Sequence, residues 1–165
     1  MVERLAAARI GDTFNQYRDD RLTRRLARYL EERSNAPILL VGEAPGYRGA
    51  RISGIPFTSE RLLTGTGPAE ATATIVHRVL EELDIERDVL LWNVVPTHPG
   101  TASSNRRPTR AEVETGMVFA RELAPGRRVF AVGRIAEAAL DAPYVRHSSR
   151  GGAATFRETV RACLT

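Results

Sequence analysis

Short apolar runs separated by segments of helical periodicity limit the folds open to this chain more than any other feature. Ile38-Leu39-Leu40-Val41-Gly42, Val89 to Val95 and Val129 to Gly133 each read as a buried strand, and Pro143 to His147 is a fourth candidate. Helical spacing appears between them. Leu22, Leu26, Tyr29 and Leu30 mark a helix within 18–33. Pro68 suits the first turn of a second, running to about Leu83 with Ile75, Val79 and Leu80 facing inward. Thr109 and Glu112 have capping-box spacing for a third, to about Leu123. A short helix at 134–140 and a final one at 153–164 complete the series, while 47–67, with helical turns near 59–64, and 96–108 read as irregular connections. Strands alternating with helices predict an α/β fold whose parallel sheet is covered on both faces.

Three of the apolar runs stop in polar chemistry: Glu43, Asn93 and His147. In a parallel sheet all three emerge at the carboxyl edge, where open α/β folds form their ligand crevice. The first run ends in Gly42-Glu43-Ala44-Pro45-Gly46, a sharp turn whose glycines let a ligand approach the backbone closely.

The chain of 165 residues, with 42% apolar content, predicts one globular domain, an N-terminal helical segment over 1–35 and an α/β core over 36–165. No stretch has the length and apolarity of a membrane span or a secretory segment, and Cys163 is the single cysteine, so a cytoplasmic protein without membrane attachment is expected. All 24 basic residues are arginine. Segments 44–59, 89–111 and 142–157 hold eight of them and no acid, while the rest of the chain is net acidic. Such concentration suits a phosphate-facing surface, although chance clustering in an arginine-rich chain explains charge alone equally well.

Several fragments, taken in order, resemble the uracil-DNA glycosylase superfamily, most closely its family-four branch, over most of 36–160. They are Gly42-Glu43-Ala44-Pro45-Gly46, Gly54-Ile55-Pro56-Phe57, Asn93-Val94-Val95, Asn105-Arg106-Arg107-Pro108, Val132-Gly133-Arg134 and Arg146-His147-Ser148-Ser149-Arg150-Gly151-Gly152. The resemblance implies a three-layer α/β/α fold with a central four-stranded parallel sheet and DNA across its carboxyl edge. It also implies hydrolysis of the bond between a damaged base and deoxyribose after the nucleotide is extruded. Two departures stand out. Thr97 lies about where family four has an iron–sulfur cysteine, so no cluster can form and the 96–108 loop must be held by packing and proline stiffness. Ser148 stands where the closing motif usually has proline, which frees an N–H and loosens that turn.

The resemblance assigns roles residue by residue. Phe57 would stack on the flipped base, with Gly42 and Ala44 lining the same pocket. Tyr47 either shapes the pocket mouth or packs beneath the 47–67 loop. Asn93 would match O4 and N3–H of uracil with its carboxamide, or else bond local backbone. His147 would donate to O2 of the departing base. Glu43 would orient or deprotonate water, or instead brace its own turn. Ser148, Ser149, Arg150 and Gly151 resemble a phosphate clamp at a helix start, and Arg150 is also a candidate wedge. For Asn105, Arg106 and Arg107, DNA-backbone contact and loop bracing are both open. His77 reads as structural or exposed.

The resulting expectation is a monomeric DNA glycosylase acting on uracil or another deaminated base in DNA, with no metal or other cofactor. Its rivals are a lesion- or abasic-site-binding module with little turnover and a small-molecule nucleotide-binding α/β protein.

Overall fold

The computed structural model describes residues 1–149 and 151–164. Four parallel strands form one sheet in the order β2-β1-β3-β4: β1 (Ile38–Gly42), β2 (Val89–Asn93), β3 (Arg128–Val132) and β4 (Tyr144–Val145). Leu40 at the centre of β1 sits opposite Leu91 of β2 and Phe130 of β3. The helices are α1 (Val2–Ala7), α2 (Asp20–Glu32), α3 (Ala50–Ser53), α4 (Glu60–Thr64), α5 (Ala71–Glu82), α6 (Arg110–Leu123), α7 (Arg134–Leu140) and α8 (Ala153–Ala162).

Strand alternation divides the apolar residues between two cores. Leu39, Val41, Leu90, Trp92 and Ala131 pack with Leu22 and Leu26 of α2, Phe119 and Ala120 of α6, and Ala136 of α7. Ile38, Leu40, Val89, Leu91, Phe130 and Val132 pack with Val76, Val79 and Leu80 of α5 and with Phe156 and Val160 of α8. The result is three layers, α/β/α. β2 is an edge strand, and Tyr29 of α2 covers it: the Leu91 N–H donates to the tyrosine oxygen at 2.8 Å. No described helix is long and apolar enough to cross a membrane.

Some elements differ from their sequence reading. α5 begins at Ala71, not Pro68, because the Pro68 carbonyl accepts the Arg61 N–H and ties this segment to α4 instead. Val76 takes the buried position on α5 and Ile75 is only half-buried. β4 is two residues long, and the 47–67 connection contains α3 besides α4, which falls where helical turns were expected. The capping box is present as read: the Glu112 N–H donates to Thr109 Oγ1 at 3.2 Å, and the Thr109 N–H donates to Glu112 Oε2 at 2.8 Å.

Glu112 does more than cap α6. It is 2% exposed, and Arg106 grips both its oxygens, Nη1 to Oε2 at 2.8 Å and Nη2 to Oε1 at 2.6 Å. The Asp12 N–H reaches Oε1 as well, at 3.3 Å. One carboxylate therefore ties together the start of α6, the 96–108 loop and the N-terminal segment. His98 adds to this, its ring nitrogens lying 2.8 Å from the Pro45 carbonyl oxygen and 2.9 Å from that of Thr101. Hydrogen bonds and an ion pair thus add to the expected packing of the loop, in which Pro96, Thr97, His98 and Pro99 are buried. Thr97 is fully buried with its hydroxyl against that of Thr13. The chain's one cysteine, Cys163, follows α8 and packs against the opposite core, so the residues present do not fit an iron–sulfur cluster.

Arg106 is the main cause holding the Glu112 carboxyl down to about 2, with the Thr109 and Asp12 N–H groups adding to it against the opposing effect of burial. Its folded-state value is depressed, so the stability it contributes is complete above the ordinary glutamate value of about 4.3 and is lost as pH falls toward 2. Glu112→Gln should lower unfolding free energy at pH 7 by about 2–3 kcal/mol, the lower range for a buried pair because Arg106 keeps access to water. In denaturant titrations the gap to wild type should close between about pH 5 and pH 2. A gap independent of pH would remove the ion pair from this role.

Candidate active site

A cavity of about 410 Å³ opens at the carboxyl edge of the sheet, and Glu43, Phe57, Asn93 and His147 all line it. Their elements explain the convergence. Glu43 follows β1, Asn93 ends β2 and His147 follows β4. The β1–β2 ladder continues past both strands: the Val94 N–H donates to the Gly42 carbonyl at 2.8 Å and the Val95 N–H to that of Glu43 at 3.0 Å. This fixes Glu43 beside Asn93.

Phe57 carries φ +53°, a left-handed conformation unusual for a bulky residue and the kind of strain that accumulates at functional sites. Its neighbours enforce it. Ser53 Oγ donates to the Thr58 carbonyl at 2.6 Å, and Thr58 Oγ1 lies 2.9 Å from His77 Nε2, which gives His77 its structural role. The ring lies against Gly42, where any β-carbon would overlap it. Asn93 is 3% exposed, yet its carboxamide has no hydrogen-bond partner among the described residues. A buried amide normally finds partners. This one keeps an acceptor and two donors available to the cavity.

The His147 ring is oriented by its own turn. The Ser149 N–H donates to Nδ1 at 3.1 Å, and Ser149 Oγ lies 2.8 Å from the same atom. A backbone N–H can only donate, so Nδ1 is the acceptor and the neutral ring carries its proton on Nε2. Burial, reinforced by the positive charge of Arg146, pushes the imidazole below its ordinary value, so the neutral form prevails at pH 7. Burial raises the Glu43 carboxyl, with Arg107 partly opposing it. The Glu43 carboxylate makes no hydrogen bond or ion pair with a described residue, so it does not brace its turn.

Other residues are placed differently from their sequence reading. Asn105 Oδ1 accepts the Tyr47 N–H at 2.8 Å, pinning the loop to the first turn, while the half-buried Tyr47 stands outside the cavity lining. Ala44 lines the cavity. Arg106 also reaches its wall, but its guanidinium is held by Glu112, so of its two open roles bracing is the one it performs. Ser148 is 2% exposed with a partnerless buried hydroxyl, Ser149 serves His147, and the Gly152 N–H donates to the Ser149 carbonyl. Ser149 also lines the cavity, and hydrogen bonds within the turn join its two ends. Gly151 is exposed, and Arg150 lies outside the described residues.

Glu70, just before α5, escaped the sequence reading. Its carboxylate lines the cavity, is raised by burial and has no hydrogen-bond or ion-pair partner among the described residues. It rests against Gly46 and Gly49, where a β-carbon would overlap it. The glycines of the first turn therefore admit Phe57 and Glu70, side chains of this same chain. Nothing near Glu70 in sequence marks it. Arg48 and Arg146 were visible only as members of acid-free segments. With Arg107 they are exposed at the carboxyl edge and form no ion pair among the described residues, whereas Arg110 and Arg157 pair with Glu114 and Glu82.

Comparisons with known proteins bear on the family and the fold. A family model described as the uracil DNA glycosylase superfamily matches residues 30–160. The crystal structure of wild-type Pedobacter heparinus SMUG2 is similar to this chain, with a TM-score of 0.71 and 12% identity over 99% of this chain and 93% of that one. No curated protein matches by sequence.

The hydrogen bonding at His147 has a direct spectroscopic consequence. Nitrogen NMR of the labelled imidazole should show the Nε2-protonated neutral tautomer at pH 7 and a titration midpoint below about 6.5. Ser149→Ala keeps the backbone N–H and should keep the tautomer. A predominantly Nδ1-protonated ring would contradict the geometry.

Proposed function

Because the chain belongs to the uracil DNA glycosylase superfamily, we propose that it hydrolyses the N-glycosidic bond of uracil in DNA and leaves an abasic site. The observation that carries this reading is the Asn93 carboxamide, buried without a partner in the cavity that Phe57 and His147 also line. In this reading the extruded base stacks on Phe57. The Asn93 amide donates to O4, and its carbonyl accepts N3–H. Cytosine would present a donor in place of O4 and an acceptor in place of N3–H, leaving buried polar groups opposed.

Bond cleavage moves the C1′–N1 electron pair onto the pyrimidine, and negative charge gathers on O2. The Nε2–H of neutral His147 is placed to donate there, stabilising the anion without giving up its proton in advance. Water attacks C1′ as that bond breaks. Ionised Glu43 orients the water and accepts its proton, and the uracil anion is later protonated by solvent. Arg48, Arg107 and Arg146 would hold phosphates around the mouth of the cavity.

In single-turnover reactions read as alkali-labile strand breaks, Asn93→Ala and His147→Ala should each lower excision of uracil by about 10²- to 10³-fold. The acid limb of the pH profile should lie above the ordinary carboxylate range, because burial favours neutral Glu43. Arg107→Gln should move that limb to higher pH, and Glu43→Gln should remove it along with most of the activity. Fast cleavage in one turnover excludes a lesion binder without catalysis. No cleavage of any deaminated base at high enzyme concentration overturns the enzymatic reading.

Salt dependence tests the phosphate contacts separately. Each of Arg48→Gln, Arg107→Gln and Arg146→Gln should reduce the slope of log affinity for duplex DNA against log salt by about 0.9. Slopes unchanged in all three would place the DNA elsewhere.

A further inference from the structure

The N-terminal segment carries an aromatic ring that neither the core nor the cavity uses. Phe14 is 50% exposed, the one aromatic among the large apolar side chains that the described residues leave in solvent. Residues around it are locked. Asn15 donates to the Leu5 and Ala8 carbonyls at 2.8 and 3.0 Å, Gln16 to that of Pro96 at 2.9 Å, and the Tyr17 hydroxyl to that of Gly54 at 3.1 Å. The Phe14 N–H donates to the His98 carbonyl and the His98 N–H returns a bond to Phe14, both at 2.9 Å. A segment fastened this tightly gains little from the Phe14 ring as packing. What it does is hold that ring rigidly outward.

The position of the ring continues the active site. His98 contacts the Pro45 carbonyl, and Pro45 and Pro99 both line the cavity. The Arg51 guanidinium carbon stands 4.8 Å from the Phe14 ring centroid, and α3, which carries Arg51, follows directly on the first turn. Arg48 adds an exposed cation on that same turn, in a segment without acid. The groove on the other side of Phe14 contains Arg9 and Arg18 together with Asp12 and Asp19. That mixture favours a neutral, flat group over a phosphate. A rigid exposed ring bearing a guanidinium, beside a cationic strip, has the chemistry used to stack unpaired bases.

We infer that Phe14, with Arg51 against its ring, is a stacking platform for an unpaired nucleobase neighbouring the extruded nucleotide. This rests on the glycosylase reading, since it requires DNA in the cavity, and it adds a second point of base contact outside the pocket. Stacking of one base on a protein aromatic corresponds to roughly 5- to 100-fold in affinity.

Binding by fluorescence anisotropy tests this without requiring turnover. The probe is an oligonucleotide carrying a 2′-fluorinated deoxyuridine, whose glycosidic bond resists cleavage, in single-stranded and mispaired duplex form. Phe14→Ala should bind it about 5- to 100-fold more weakly, and Phe14→Trp should restore binding. Replacing single flanking bases with abasic spacers should identify one position at which the Phe14→Ala loss disappears. Single-turnover excision at saturating enzyme should be unchanged in Phe14→Ala, and its thermal midpoint should stay near that of wild type; if it drops, Phe14→Leu takes its place. Wild-type affinity of Phe14→Ala for every probe, with Arg107→Gln still weakened, overturns the platform and leaves the glycosylase reading standing. An equal loss at every spacer position overturns it too, by assigning Phe14 a structural role. Failure of wild type to bind any probe would remove both readings.

Discussion

The grip of Arg106 on Glu112 is the interaction on which the site's architecture depends. An isolated carboxylate this deeply buried would be costly, and four donors from three segments offset that cost. The capping box fixes where α6 begins, Arg106 draws the 96–108 loop back onto that beginning, and Asp12 brings in the N-terminal segment. From this junction the loop reaches the cavity, with Pro99 and Asn105 in its wall and His98 beneath the first turn. In the branch of the family this chain resembles most, the resemblance implies a metal cluster near this loop. Here a buried ion pair and short hydrogen bonds provide the crosslinks.

The same accounting separates the arginines. Sequence alone shows eight of them in three acid-free segments and cannot tell which are free, because an acid-free segment can still meet an acid from elsewhere in space. Arg106, Arg110 and Arg157 do so, while Arg48, Arg107 and Arg146 form no ion pair among the described residues. These three exposed cations follow β1, β2 and β4, on the same edge of the sheet as the cavity.

What could be read in advance follows the range of the forces involved. β1, β2 and β3 were legible because a strand buried on both faces needs an unbroken apolar run, and the start of α6 because a capping box is a local motif. The convergence of Glu43, Asn93 and His147 was legible through the common edge of a parallel sheet, and Phe57 through the family resemblance. β4 was overextended, since two residues suffice once Val145 is buried and β3 supplies the pairing. Which way Ser148 and Ser149 face was not legible, because a serine-rich, glycine-ended turn looks the same in sequence whether its hydroxyls face water or an imidazole. Glu70 was invisible because its significance lies entirely in contact with Gly46 and Gly49, more than twenty residues earlier.

Those glycines bear on how the cavity works as a unit. Gly42 is in contact with the Phe57 ring, and Gly46 and Gly49 with the Glu70 carboxylate, so one turn of backbone sets the position of an aromatic wall and an acidic one. Phe57 is held in a strained conformation, and the side chains of Glu43, Glu70 and Asn93 have no hydrogen-bond partner among the described residues. None of these features stabilises the free protein: strain and unpaired buried polar groups both cost free energy. That cost is offset by the two cores and by the Glu112 junction. A cavity that holds a strained aromatic ring and polar groups left open, braced from outside by that junction, is preorganised to gain free energy back when a polar, planar ligand enters.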